Sequence, residues 1–502
     1  VSDGAPARPE APIPSPQVPE VLGIGEAPAA RDALVRGGAI RLGSYVAIVG
    51  LSVISVSLLT RHLGVSEFGD YTTVTSLVAV VAVVTDSGMS NIGTREYATL
   101  QEPARTQLLA NLLGLRLTLS MVGLALVVLC SLALGFDHAL LVGGIAASLA
   151  TVALVLQHTL TIPLTVDLRL GWLSWLEFLR QALAVAAIVV LVLVHAGVFP
   201  LLTTTLLANA ILIVPSAWLV RGRISLRPAF ALGPWRELMG ATVAFSLAAA
   251  VGIIYVYTAQ ILTHIVAGHF QSGLFSVSFR VFIVAAGIPG LLVGATLPVL
   301  ARAAHDDRDR LGYILQRIFE ASLVGGVGLA VTMSVGAGFI VAVIGGPKAA
   351  GATPVLEIQS YALIASFMSA GWGFGLLSLR RHRGLLVANA AAFVVSLVTM
   401  LLLAAHYGAR GAAVATICGE VALALCSLFA LVASSPEYRP RLNIAWKILL
   451  AGAVAALAGL IPGVPSLPRA VIAFVVYAAI VLVTRALPPE FQALLPRRFH
   501  LG

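Results

Sequence analysis

LGVSEFGDY, from Leu63 to Tyr71, and AGHFQSGLF, from Ala267 to Phe275, share one pattern: a glycine, a second glycine five residues later and an aromatic residue two further on. The match pairs Gly64 with Gly268, Gly69 with Gly273 and Tyr71 with Phe275. Each stretch is a short connection between long apolar runs, and the two occupy the same place in successive halves of the chain. Gly-rich turns also recur by chance between membrane helices, but the equivalent placement favours a duplicated unit.

Around these stretches, 59% of the 502 residues are hydrophobic and only 11% are charged, a composition outside the soluble range. In hydrocarbon, backbone polar groups must pair within their own segment, so the apolar runs are predicted to be helices. Runs near the roughly 20 residues needed to cross about 30 Å of hydrocarbon fall at 39–60, 71–92, 108–134, 139–162, 178–197 and 199–220 in the first half. They fall at 238–263, 275–300, 317–344, 354–378, 385–406 and 410–434 in the second half, and then at 446–462 and 469–487. The expected fold is an all-α polytopic membrane protein of about fourteen transmembrane helices, two pseudo-symmetric six-helix lobes plus two C-terminal helices. Residues 1–35, rich in Pro, Ala and Glu, read as a disordered cytoplasmic tail. Residues 36–236 form the expected N-lobe and 237–434 the C-lobe, with 435–502 holding the last two helices and a short cytoplasmic C-tail.

With a cytoplasmic N-terminus, most of the 31 Lys and Arg lie in cytoplasmic connections, as the positive-inside rule demands. Examples are Arg221, Arg223, Arg227 and Arg236, then Arg302, Arg308 and Arg310, then Arg380, Arg381 and Arg383; Arg61, Lys348, Arg410 and Arg469 fall outside. The net charge of +9 is therefore topological, because the cations form no stripe suited to nucleic acid. Cys130, Cys418 and Cys426 sit inside apolar runs and read as packing residues. No Gly-Lys-Ser or Gly-Lys-Thr element closes a Gly-rich turn, so ATP is excluded as the direct energy source. No metal-ligand spacing and no resident cofactor are expected.

Two parallel six-helix halves are an architecture of secondary transporters, with the substrate site between them. The segment LLTRHLGVSEFGDYTTV from Leu58, and Asp86, Gly88, Arg95 and Glu96 in TDSGMSNIGTRE, carry a family resemblance. So do LFSVSFRVFIVAAGIPGLLVGATLPVLARAA from Leu274, with Arg280, Pro289 and Pro298, and HYGARGAAVATICGE from His406 to Glu420. Over about 36–434 the chain resembles the polysaccharide-transporter flippases of the multidrug/oligosaccharidyl-lipid/polysaccharide exporter superfamily. The resemblance implies a non-enzymatic flippase of the bacterial cytoplasmic membrane, both termini cytoplasmic, moving a polyprenyl-(pyro)phosphate-linked oligosaccharide outward by alternating access. Membrane lipids, and other polysaccharide-assembly proteins, are the further partners it implies. A cation-coupled small-molecule or multidrug antiporter on the same fold is the alternative; it predicts acids in the cavity where a phosphate carrier needs cations. A membrane glycosyltransferase or polymerase fits less well with such short connections, and a scaffold acting through its tail is a fourth class.

Ionisable groups within membrane spans are costly, so each is a functional candidate or a paired structural element. Arg116 lies roughly 12 Å into the third span at about 1.5 Å per residue. It either pairs with Asp86 across adjacent helices or faces a central cavity, where a guanidinium grips phosphate oxygens bidentately. Arg280 in the eighth span either snorkels to the interface or offers a second cationic station in that cavity, which is what the resemblance implies. Glu420, near the middle of the twelfth span, could bind a proton or Na⁺ as coupling ion or make a protonated helix contact. Glu320 and Glu357 open spans, where interfacial solvation accounts for them. His158 and His195 are packed histidines or proton relays. Pro289 and Pro298, with Gly287, Gly290 and Gly294, mark either a hinge or close helix packing.

Overall fold

The computed structural model describes the backbone of residues 28–86, 89–167, 169–221, 227–294 and 296–486. Most of the expected N-terminal tail and the end of the C-tail lie outside the described residues; α1 already opens at Pro28. The helices run α1 (Pro28–Asp86), α2 (Met89–Thr99), α3 (Ala104–Ala133), α4 (His138–Leu160), α5 (Ile162–Val166), α6 (Leu170–Leu193) and α7 (Val198–Leu219). There follow α8 (Leu232–Gly294), α9 (Leu297–Asp306), α10 (Arg308–Val335), α11 (Ala337–Gly345), α12 (Thr353–Gln359), α13 (Ala362–Ser378), α14 (His382–Ala433), α15 (Ala445–Ala458) and α16 (Ser466–Val483). Among the described residues there is no strand. Among the described residues, nine helices are long and apolar enough to cross a membrane, ten if the pair Pro347–Gln359 and Ala362–Ser378, bent by 49°, counts as one span. The chain is a multi-pass membrane protein.

Three of those helices are hairpins. The backbone leaves the helical region at Gly64 (φ 76°, ψ 179°), Gly268 (φ 83°, ψ 175°) and Gly408 (φ 58°, ψ −136°), a conformation that glycine alone adopts without strain. In α8, Gln260 Nε2 donates to Ser272 Oγ at 2.8 Å, although twelve residues of straight helix would span about 18 Å. In α14, a Cβ built on Gly419 would stand 3.1 Å from the Ser396 Cβ, a residue about 35 Å away in a straight helix. The matching φ and ψ at Gly64 give α1 the same reversal as α8. The ten-residue connection expected between the first two spans is thus a one-residue break. Helical structure resumes at once, because a single positive-φ glycine suffices to turn the chain.

The second glycine of each quoted stretch has a different task. A Cβ on Gly69 would meet the His269 carbonyl oxygen at 2.6 Å and the Gly273 nitrogen at 2.7 Å, while one on Gly273 would meet the Val65 carbonyl oxygen at 1.9 Å. These contacts are reciprocal, since the shift of 204 residues that relates the two stretches turns Val65 into His269 and Gly69 into Gly273. Thr72 and Ser276, related by the same shift, share a hydroxyl–hydroxyl hydrogen bond of 2.6 Å. Equivalent residues touch one another in this way only beside a two-fold axis. The repeat legible in the sequence is therefore the place where the two hairpins cross, backbone against backbone.

Outward from that crossing, α4 packs on α7 and α6 on α1, while α8 packs on α14 and α13 on both α14 and α10. The apolar core at the crossing includes Phe68, Tyr71, Phe275, Phe279 and Phe282. Helices α15 and α16 pack on each other and on α10. Tyr477 pins them there by donating its hydroxyl to the Val324 carbonyl at 2.7 Å, and Gly328 leaves room for its ring.

Gly273→Ala places a methyl group where the Val65 carbonyl oxygen stands, so a loss of about 1–3 kcal/mol or more is expected, the range for overpacking. Gly171→Ala, whose Cβ meets open space, serves as the control. The check is the unfolding transition of both purified variants in detergent: a clear drop is expected for the first and none for the second.

Candidate functional site

A polar seam runs through the crossing. Thr73 Oγ1 and Ser272 Oγ lie 3.3 Å apart, Ser278 donates to Gln359 Oε1 at 2.5 Å, and Gln359 Nε2 donates to Thr416 Oγ1 at 3.4 Å. Hydroxyls serve here because several donate to their own helix one turn back, as Thr73 does to Gly69, Ser276 to Ser272 and Thr416 to Ala412, and still accept across the seam. These hydroxyls thereby keep their own polar atoms paired in the apolar interior.

Arg280 is half-buried in this seam. With Thr72, Ser76, Tyr257, Gln260 and Ser276 it lines a void of about 30 Å³, room for a water rather than for a sugar. Arg116 is 1% exposed, and Arg116 does not line that void. Its Nη1 donates to Thr159 Oγ1 at 2.7 Å and more weakly to the Val155 carbonyl at 3.4 Å, which ties α3 to α4. The Asp86 side chain lies outside the described residues, and with it the Asp86–Arg116 pairing. The two arginines are thus placed separately, one between α3 and α4 and the other where α1 meets α8.

Glu420 is 6% exposed and accepts a hydrogen bond from the Tyr255 hydroxyl at 3.0 Å. It lines a cavity of about 370 Å³ among α8, α13 and α14, together with Ser366, Ser369, Asn389, Ser396 and Thr416. Gly287 and Gly290 line the same cavity and flank Pro289, which stands inside α8 and removes one rung of its hydrogen-bond ladder. Pro298 has another place: it belongs to the first turn of α9, where proline is tolerated because that N–H has no helical partner. Its side chain lies outside the described residues.

A larger hollow of about 660 Å³ opens at the start of α10, lined by Arg308, Arg317, Arg439 and Arg441 with Asp309, Glu320 and Glu437. It shares no lining residue with the Glu420 cavity, and it holds one ion pair, in which Arg317 Nη1 donates to Glu320 Oε2 at 2.6 Å, while Gln316 Nε2 donates to Glu320 Oε1 at 3.0 Å. Glu320 is 8% exposed, so these partners account for it and interfacial solvation does not, whereas Glu357 is exposed as expected. His195 is not a span residue. It follows α6 in an exposed turn at φ 54°, and His158 is exposed in the last turn of α4.

Sequence reasoning missed one grouping. Asp70 and His269, one in each quoted stretch, meet at 2.5 Å with His264 beside them. Their positions within the matched stretches were the available signal.

A model of a family described as polysaccharide biosynthesis protein matches residues 58–348, starting at the Leu58 that opens the first motif. The chain belongs to this family. Solved structures with the same fold include the lipid II flippase MurJ in an inward closed conformation, at a TM-score of 0.71 and 12% identity, covering 89% of this chain and 98% of that one. An inward-facing multidrug resistance MATE family transporter of the MOP superfamily matches at a TM-score of 0.60 and 14% identity, covering 80% and 98%. A MOP superfamily transporter from Pyrococcus furiosus, described as having a binding pocket of reverse polarity, matches at 0.54 and 13%, covering 81% and 96%. No curated protein sequence matches. The family's chain thus has the expected exporter-superfamily fold, which at these identities is a likeness of architecture alone.

Removing the Thr159 hydroxyl takes one acceptor from the buried Arg116 guanidinium. Thr159→Val is expected to cost about 1–3 kcal/mol, read as a lower unfolding temperature in detergent, and Thr159→Ser is expected to retain most of the stability. An unshifted midpoint in the valine variant would mean that Arg116 is held by other groups.

Proposed function

We propose that this protein moves a polyprenyl-(pyro)phosphate-linked oligosaccharide from the cytoplasmic to the outer leaflet of the bacterial cytoplasmic membrane, by alternating access and without chemical conversion. Each hairpin counts as two passes, and the bent pair and the short apolar helix Ala445–Ala458 as one each; the path then has about fourteen passes, most of them near the length a bilayer requires. Both termini are cytoplasmic, the N-lobe being 36–236 and the C-lobe 237–434.

Membership of the polysaccharide biosynthesis family supports the reading, but the observation that carries it is the position of Arg280. It is a half-buried cation on the seam between the halves, beside hydroxyls and a water-sized void. A guanidinium there is screened from hydrocarbon while the halves are together. When they part, it meets whatever enters between them, and an anionic phosphate or pyrophosphate is the complementary head group. The hydroxyl-rich glycan would otherwise cross hydrocarbon with unpaired polar groups at a cost of many kcal/mol. Arg116 acts in this proposal as a second cation deeper in the N-lobe. The hinge is placed at Pro289, with Pro298 ending the same stretch.

A second reading, a cation-coupled antiporter of small molecules, is favoured by the Glu420 cavity, which presents a carboxylate and, among the described residues, no cation. In the flippase reading the same carboxylate binds the coupling proton or Na⁺. The two readings separate in cells lacking the gene, where the flippase reading predicts accumulation of a lipid-linked glycan on the cytoplasmic side. Complementation with Arg280→Ala should leave that accumulation in place although the protein inserts normally. An intact lipid-linked pool in the deletion strain, or full complementation by Arg280→Ala alongside loss of function in Glu420→Gln, would favour the antiporter.

A further inference from the structure

Asp70, His264 and His269 gather on the face that carries the hairpin turns, and the transport proposal uses none of them. Asp70 follows Gly69 in α1, and the two histidines flank the Gly268 turn of α8. The His269 Nδ1 lies 2.5 Å from Asp70 Oδ1 and the His264 Nδ1 3.7 Å from the same oxygen. The imidazole rings stand edge to face with centroids 4.6 Å apart. One ligand atom from each residue falls within 4.8 Å of the others.

An aspartate–histidine hydrogen bond explains His269 but not His264. The His264 side chain is only 9% exposed, and its Nδ1 faces the cluster with no hydrogen-bond partner among the described residues. Such a buried, unmatched nitrogen ordinarily costs about 1–3 kcal/mol. We propose that the three side chains are a binding site for a divalent transition-metal ion of the Zn²⁺ class, which clamps the α1 hairpin to the α8 hairpin beside their crossing.

The donor set and its spacing suit that ion. Two imidazoles with a carboxylate are a mixed donor set that Zn²⁺ accepts, whereas the imidazoles disfavour oxygen-seeking Mg²⁺ or Ca²⁺. Ligands at about 2.0 Å in a tetrahedron lie roughly 3.3 Å from one another, between the two separations present here. His269 is 62% exposed, so its ring is free to swing outward by the roughly 0.8 Å that the tetrahedral spacing requires, and water takes the fourth position. The site is single. The residues related to His264, His269 and Asp70 by the internal repeat are Thr60, Val65 and Leu274, which offer no imidazole or carboxylate.

The test uses the full chain purified without a histidine tag, titrated with ZnCl₂ alone against a chromophoric chelator, with the unfolding temperature as a second readout. A single tight equivalent and a raised unfolding temperature are expected. His264→Ala and Asp70→Asn should weaken binding by at least about tenfold, the lower end of losses seen around metal sites, and should abolish the thermal shift. His305→Ala, an exposed histidine in the last turn of α9, should keep both. If His264→Ala does not fold, the exposed His269→Ala carries the same expectation. Wild-type protein that binds no Zn²⁺ at micromolar concentrations, or binding that survives the cluster substitutions, would overturn the proposal.

Discussion

Two helices of the same ancestry cross here without side chains between them, and the rest of the molecule is arranged around that contact. At Gly69 and Gly273 the backbones of α1 and α8 approach so closely that a single methyl group on either would overlap a carbonyl of the other. In a bilayer no hydrophobic force draws helices together, so close packing and interhelical hydrogen bonds must do it. The crossing supplies both. Glycine gives the approach, and Thr72 and Ser276 hydrogen-bond across it.

From this constraint the site follows. Helices that touch along their backbones at one end must diverge elsewhere, and polar groups beside the contact have to find partners within the seam. Ser272, Gln260 and Ser276 do so, and Arg280 is left at the edge of a water-sized void. Helices α8, α13 and α14 leave a second space around Glu420, where Pro289 weakens α8. A fixed crossing with softer helix segments away from it is the arrangement that rigid-body rocking of two halves requires.

The apolar runs and the internal repeat were legible because hydrocarbon imposes length and composition on every span, and because glycine spacing survives where side-chain identity does not. What each glycine does was not legible. Gly64 and Gly268 turn the chain, whereas Gly69 and Gly273 admit a neighbouring backbone, and residue type alone does not distinguish φ from proximity. Burial was misread for Glu320, because its partners Gln316 and Arg317 lie on its own helix one turn back, a pattern as common at solvated helix ends. The Asp70–His264–His269 grouping was hidden because its members belong to different halves and meet only through the crossing. Sequence distance separates what the pseudo-two-fold axis brings together.

The account stands on the crossing, and the most direct test is to join it covalently. With Cys130, Cys418 and Cys426 replaced, Thr72→Cys and Ser276→Cys would put two thiols where hydroxyls now lie 2.6 Å apart, within reach of a disulfide. In isolated membranes, mild oxidation should link the pair efficiently, as seen by joined fragments after cleavage between the halves, and reduction should release them. Failure of the pair to link under any oxidising condition, while each cysteine alone leaves a folded protein, would contradict the crossing and the fold built on it.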